Sequence, residues 1–342
     1  MKKAAIQAIN YYLPEKTISN EELANIFPEW PADQIYKKTG IRSRHIAADD
    51  ETASDLAFLA AQNLFNNSSY DAENIDMVIL CTQAPDYALP TSACTLQTRL
   101  GIPSSAGAFD FNLGCSGYVY GLSIAKGLVE SGSANNVLLL TGNTYSKYMH
   151  AKDKNVRTIF GDAGTATLIQ GVESNEDLIG PFTFGTDGAG ADKLIVKVSG
   201  ARYASEDEFF QGGGEQRKDG FPNNTLFMDG PSIFSFTLRV VPKMLKALFA
   251  KTGLVIDDID HFVFHQANKF MLDSLRRQSK IPEEKFVLDM ENIGNTISST
   301  IPIALSNATN KSVLKANQKV MLVSFGVGLS WAACLVKTTW DT

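Results

Sequence analysis

An internal repeat constrains this chain more than any other feature. Ile75-Asp76-Met77-Val78-Ile79-Leu80 matches Ile259-Asp260-His261-Phe262-Val263-Phe264 at an offset of 184. Asn136–Leu140 matches Lys319–Val323 at an offset of 183, and between these strands Phe111–Ser116 stands opposite Gly294–Ser299 at the same 183. Buried strands of any two α/β halves share some likeness, but three correspondences at nearly one offset favour duplication of a βαβ-type half. The 342 residues suffice for two such halves, taken here as 1–175 and 176–342. A functional site is then expected where the halves meet.

Local signals agree with a layered α/β fold. Ala4–Asn10 reads as a strand, and Ser19 with Glu22 reads as a capping box opening a helix. Thr52–Asn66 reads as a helix and Asp76–Cys81 as a strand. Strands alternating with helices fit α/β architecture. Ser199–Thr225 breaks the pattern with Gly212-Gly213-Gly214, an acidic cluster and Phe209-Phe210. A solvated loop is the plain reading, and the aromatics leave room for a lid over a substrate channel.

Charge and composition exclude several functions. The net charge of −6 argues against a general nucleic-acid binder. Four cysteines do not make a disulfide framework and point to a reducing compartment. The N-terminus has two lysines but no long apolar run, and apolar runs elsewhere are only four or five residues long. No secretory signal and no membrane insertion are therefore expected, and a cytoplasmic location is.

Cys115 is the strongest chemical candidate. It lies between the strand-like Ala108–Asn112 and an almost uncharged helical segment, flanked by Gly114 and Gly117. A cysteine at a helix N-terminus meets unpaired N–H groups that favour a thiolate. Cys81, Cys94 and Cys334 lie in apolar runs and read as buried structural cysteines. His265 closes the strand His261–Phe264, ahead of a helix running to about Lys280, a common place for functional groups in α/β proteins. Gly294-Asn295-Thr296 and Ser324–Trp331 each read equally well as plain turns.

Together these segments resemble the β-ketoacyl-acyl carrier protein synthase III family of the thiolase superfamily. The resemblance rests on Phe111-Asn-Leu-Gly-Cys115-Ser-Gly-Tyr118, His265-Gln-Ala-Asn268, Gly294-Asn295-Thr296 and Phe325-Gly-Val-Gly-Leu-Ser-Trp331. Lys38–His45, Phe160–Gly164 and Asp187-Gly188 extend it over nearly the whole chain. It implies a duplicated five-layered α-β-α-β-α fold, a homodimer, and no permanently bound cofactor or metal, with a CoA thioester as substrate. It also implies that Cys115 takes an acyl group from acyl-CoA. His265 and Asn295 then stabilise the enolate left when malonyl-acyl carrier protein loses CO2, and the backbone N–H groups of Cys115 and Val327 form the oxyanion hole. Lys38, Leu89, Asn268 and Gly326 fall at substrate-binding positions.

Decarboxylation makes the carbon nucleophile, so no carboxylate base is needed, and Gln83 cannot serve as one. Acyl carrier proteins are acidic, so two basic faces are candidate docking surfaces. One is Lys269, Arg276 and Lys280; the other is Arg239, Lys243 and Lys246, on a helix that Pro242 is expected to bend. Some positions depart from the family pattern. A tryptophan that stacks on the CoA adenine in the family corresponds to Gln34, and its neighbouring arginine to Lys38. A glycine triplet is Gly326-Val327-Gly328, and Leu89 replaces a phenylalanine that closes the pocket of acetyl-specific members. The smaller Leu89 suggests donors longer than acetyl. The rival readings are a specialised priming synthase of a secondary lipid or polyketide pathway, a non-catalytic partner subunit, and a cysteine hydrolase.

Overall fold

The computed structural model describes residues 1–340. Two five-stranded sheets form its centre. The first contains β1 (Lys2–Tyr12), β2 (Met77–Cys81), β3 (Gly107–Phe111), β4 (Asn136–Asn143) and β5 (Ala163–Glu173), in the order β1-β5-β4-β2-β3. The second contains β6 (Ile179–Thr186), β7 (His261–Phe264), β8 (Phe286–Val287), β9 (Lys319–Gly326) and β10 (Ser330–Lys337), in the order β6-β10-β9-β7-β8. The two orders are the same once the second half is counted from β6. The sense of every pairing repeats as well: two antiparallel junctions, then two parallel ones. The chain passes from one sheet to the other between Glu173 and Ile179.

Six helices complete the repeat: α1 (Ala53–Asn66), α2 (Ser92–Arg99), α3 (Gly117–Glu130), α4 (Gly230–Thr252), α5 (Lys269–Gln278) and α6 (Thr300–Asn310). α1 and α2 cover the outer face of the first sheet, and α4 packs on the second sheet and on α5. α3 and α6 lie between the sheets and touch both, giving five layers. Parallel strands covered on both faces must be apolar throughout, which accounts for the fully buried runs Val78–Cys81 and Val137–Leu140. α3 buries Tyr118, Val119, Leu122, Ala125 and Val129, as a helix enclosed by two sheets must.

The capping box of Ser19 and Glu22 is present, and a second one, Thr52 with Asp55, opens α1. Three expectations change. α4 continues through Pro242 and ends at Gly253, which has φ +70°. The segment 199–225 contains a short helix, Glu206–Gln211, and is anchored by Arg217, whose guanidinium is buried. Arg217 donates to both carboxylate oxygens of Asp219 and to the carbonyls of Thr225 and Leu226, with Asp153 3.6 Å away. Such a hub needs acidic and carbonyl partners from several turns, which no local pattern reveals. Cys94 is exposed, on the outer face of α2, whereas Cys81 and Cys334 are buried as expected.

Candidate active site

The nucleophile turn is built by close backbone contacts. β3 ends at Phe111 and α3 begins at Gly117, so Cys115 sits on the turn into the central helix. A Cβ on Gly326 would lie 2.8 Å from the Cys115 Cβ and 2.9 Å from its Sγ. Only glycine lets the end of β9 approach the thiol so closely. This is the part Gly326 plays: it makes room for the sulfur. The backbone N–H groups of Cys115 and Val327 lie within hydrogen-bonding reach of the thiol.

Burial opposes the thiolate that the helix N-terminus favours at Cys115. Cys115 is only 4% exposed. Burial pushes its thiol up to about 12, while the two N–H groups pull the other way. The cost of desolvating a charge exceeds what two dipoles return.

His265 and Asn295 come from the other half of the chain. The His265 backbone N–H donates to Val323 on β9, and its ring meets Phe325 edge-on at 5.7 Å. Its Nδ1 is 2.7 Å from the Thr300 hydroxyl. Among the described residues, Nε2 has no hydrogen-bond partner. Burial lowers the ring's pKa to about 3, so the imidazole is neutral at physiological pH. Asn295 bonds through its backbone to Ile159 and Gly161. Arg44 supports that segment by donating to the Thr158 carbonyl at 2.9 Å. The motifs Lys38–His45 and Phe160–Gly164 thus hold Asn295 in place. The Asn295 Oδ1 accepts from the Ile297 N–H at 3.0 Å, which leaves its amide nitrogen without a partner among the described residues.

Ile297 stores strain at this junction. Its φ is +61°, a region that a β-branched residue enters only at a cost of about 1–3 kcal/mol. In that conformation its N–H holds Asn295 and its carbonyl accepts from Thr300, the partner of His265. Cys115, Phe160, Ile297 and Phe325 share one buried cluster, so the three candidate residues flank one core region where the halves meet.

Other predicted site residues are placed differently. Leu89 is 83% exposed, so it does not line a pocket of its own chain. Asn268 caps α5 by accepting from the Met271 N–H, a structural duty. Gln34 supplies no aromatic surface. The aromatic beside Lys38 is Trp30, whose ring centroid lies 4.2 Å from the Lys38 ammonium and 5.3 Å from that of Lys154. Trp30 and Lys154 were missed because a short helix and a long stretch of chain separate them from Lys38. The basic faces are partly neutralised: Lys269 pairs with Asp273, Arg276 with Glu283 and Arg239 with Asp187. Lys280 falls beyond the end of α5, at φ +57°, and leaves the expected face. Lys243 and Lys246 are exposed and form no ion pair among the described residues.

Two family models match the chain. Residues 109–188 match 3-oxoacyl-[acyl-carrier-protein] synthase III, and residues 249–338 match its C-terminal part. A β-ketoacyl-[acyl-carrier-protein] synthase III of Caldanaerobacter subterraneus is 34% identical over 98% of this chain and 97% of its own length. The enzyme of that name from Chlamydia caviae is 35% identical, with the same coverage. A crystal structure of a 3-oxoacyl-(acyl-carrier-protein) synthase III superposes with a TM-score of 0.94 at 52% identity, covering 98% of this chain and 99% of the other.

Proposed function

Because the chain belongs to the 3-oxoacyl-[acyl-carrier-protein] synthase III family, we propose that its three buried polar residues divide one condensation between them, Cys115 as nucleophile and His265 with Asn295 as enolate donors. The enzyme is an acyltransferase that joins an acyl-CoA primer to malonyl-acyl carrier protein and starts fatty acid synthesis. The Cys115 sulfur attacks the acyl-CoA thioester. The carbonyl oxygen, now negative, accepts from the N–H groups of Cys115 and Val327, and CoA leaves as its thiol with the cysteine's proton. The acyl-cysteine is another thioester of similar energy. Malonyl-acyl carrier protein then loses CO2, and the electron pair of the broken C–C bond passes into an enolate. The Asn295 amide nitrogen and His265 Nε2 face that oxygen. The enolate carbon attacks the acyl-cysteine, and the C–S bond breaks to release the β-ketoacyl thioester and the Cys115 thiolate, which takes a proton from water to regenerate the thiol.

One observation carries this reading. Two N–H groups lie within hydrogen-bonding reach of the thiol, while the Asn295 amide and one His265 ring nitrogen keep free hydrogen-bonding capacity in the same buried region. A hydrolase needs only the first set; the second serves an enolate. We also assign the CoA adenine and phosphates to Trp30, Lys38 and Lys154, and the acidic carrier protein to the side of α4 bearing Lys243 and Lys246. A homodimer fits β3, an unpaired sheet edge, and the exposed Tyr87 and Leu89 nearby. A reducing cytoplasm fits the free Cys115 thiol.

The test is a coupled assay with acyl-CoA and malonyl-acyl carrier protein, read by product mass. β-Ketoacyl-carrier protein with release of CO2 is expected. Free fatty acid alone would establish the hydrolase instead.

A further inference from the structure

Two serines with no part in the chemical steps join the nucleophile turn to the loop between β9 and β10. Ser116 follows Cys115 and directly precedes α3. A serine at that position ordinarily accepts from an N–H of the helix's first turn. The Ser116 hydroxyl makes no such bond among the described residues. It lies 2.7 Å from the hydroxyl of Ser330, which opens β10 in the other half of the chain. Both side chains are buried. The Ser330 hydroxyl in turn donates to the Val327 carbonyl at 2.9 Å. A hydroxyl has one proton to give. Ser330 gives its proton to Val327, so Ser116 is the donor in the bond between the two serines. The relay runs one way, from Ser116 through Ser330 to Val327.

Val327 needs such a restraint. It lies between Gly326 and Gly328, and Gly328 has φ +134°, so the loop has little stiffness of its own. Yet the Val327 N–H lies within hydrogen-bonding reach of the thiol. Two contacts hold the residue. One is the Ser330 bond to its carbonyl. The other is its side chain: a Cβ on Gly114 would lie 2.4 Å from a Val327 methyl, so this methyl packs on the residue before Cys115. With carbonyl and side chain both held, the N–H has one direction left. The residues on either side of the nucleophile, Gly114 and Ser116, thus both contact the loop that carries the second N–H.

Taking the acyl-transfer reading as its basis, we propose that Ser116 and Ser330 are positioning residues for the oxyanion hole. Their hydroxyl relay keeps the Val327 N–H, supplied by the second half of the chain, in register with the Cys115 N–H, supplied by the first. These donors matter most once the thioester oxygen becomes negative. The relay therefore acts on the rate of acylation at saturating acyl-CoA and leaves acyl-CoA binding alone.

The test follows CoA release in single turnovers over a range of acetyl-CoA concentrations, in wild type, Ser116→Ala, Ser330→Ala, Ser330→Thr and the double alanine variant. Removing an oxyanion donor outright costs about 10²–10³-fold, and letting one drift should cost less. Ser330→Ala should lower the saturating rate about tenfold and Ser116→Ala about threefold, each with the half-saturating concentration within about twofold of wild type. The double variant should match Ser330→Ala, because Ser116 acts through Ser330. Ser330→Thr keeps the hydroxyl and should stay within about threefold of wild type. A wild-type rate in Ser330→Ala, losses that add in the double variant, a loss carried by the half-saturating concentration, or a threonine variant as slow as the alanine one overturns the relay. Failure of wild type to form any acyl-cysteine instead removes the functional reading on which the relay rests.

Discussion

The start of α3 and the start of α6 are two copies of one turn, and they do different work. At the repeat's offset of 183, Cys115 corresponds to Ser298 and Asn112 to Asn295. At the offset of 184, His265 corresponds to Cys81. Each of the three residues proposed to react thus has a counterpart in the other half, and the counterparts are occupied otherwise. Ser298 accepts from Asn143, Asn112 accepts from Gln83, and Cys81 donates to the Leu113 carbonyl. One backbone plan yields a reacting set where polar atoms are left free and a scaffold where they are paired. On the proposed reading, the comparison teaches that activity lies in which hydrogen bonds are withheld.

Exchanging the two turns should give the largest effect. Cys115→Ala should lower condensation by about 10³-fold or more. Adding Ser298→Cys to that variant should not restore an acyl adduct, because position 298 is buried and already engaged by the Asn143 amide. Recovery of labelling at residue 298, read by peptide mass, would make the two turns equivalent. The next effect concerns the two asparagines. Asn295→Ala should cost about 10²-fold in condensation while Cys115 still acylates. Asn112→Ala should stay within a few-fold. Equal losses in the two half-reactions would remove Asn295 from the decarboxylation step.

The third comparison sets His265 against Cys81 through acid stability. The folded-state pKa of His265 is lowered to about 3, below the roughly 6.5 of an unfolded chain. Between those values the unfolded state binds the extra proton. Stability from the neutral ring is therefore complete above about pH 6.5 and falls as pH drops towards 3. His265→Gln should flatten that acid limb in urea titrations at pH 4 to 7. Cys81→Ala should leave its slope as in wild type, since a buried neutral thiol exchanges no proton in that window.

The smallest expected effect is at Leu89. Leu89 is exposed on its own chain, so Leu89→Phe should change the chain-length profile by no more than a few-fold. A larger shift at Leu89 would place the pocket's end at a subunit interface.

Much of this arrangement was legible in the sequence. The duplication could be read because buried parallel strands need apolar runs on both faces, and such runs repeat visibly. Cys115 and His265 lie at strand-to-helix turns that local pattern marks, whereas Asn295 was singled out only through the family resemblance. The burial that opposes a Cys115 thiolate was not legible, because the helix terminus is local whereas burial depends on β9 and its glycine closing over the sulfur. Cys94 was misplaced because an apolar run does not say which face of α2 its members occupy. Lys154 meets Trp30 from far along the chain, Arg217 gathers partners from several turns, and Ile297 acts through a backbone angle that its side chain disfavours. None of these leaves a periodic signal.

The account rests on a single reacting thiol among four. Incubating the wild-type protein with acetyl-CoA and mapping the added mass by peptide tests this directly. One acetyl group on the peptide containing Cys115, with Cys81, Cys94 and Cys334 unmodified, is the predicted result. Label on any of those three with Cys115 bare would contradict the account, and exposed Cys94 makes that outcome chemically open.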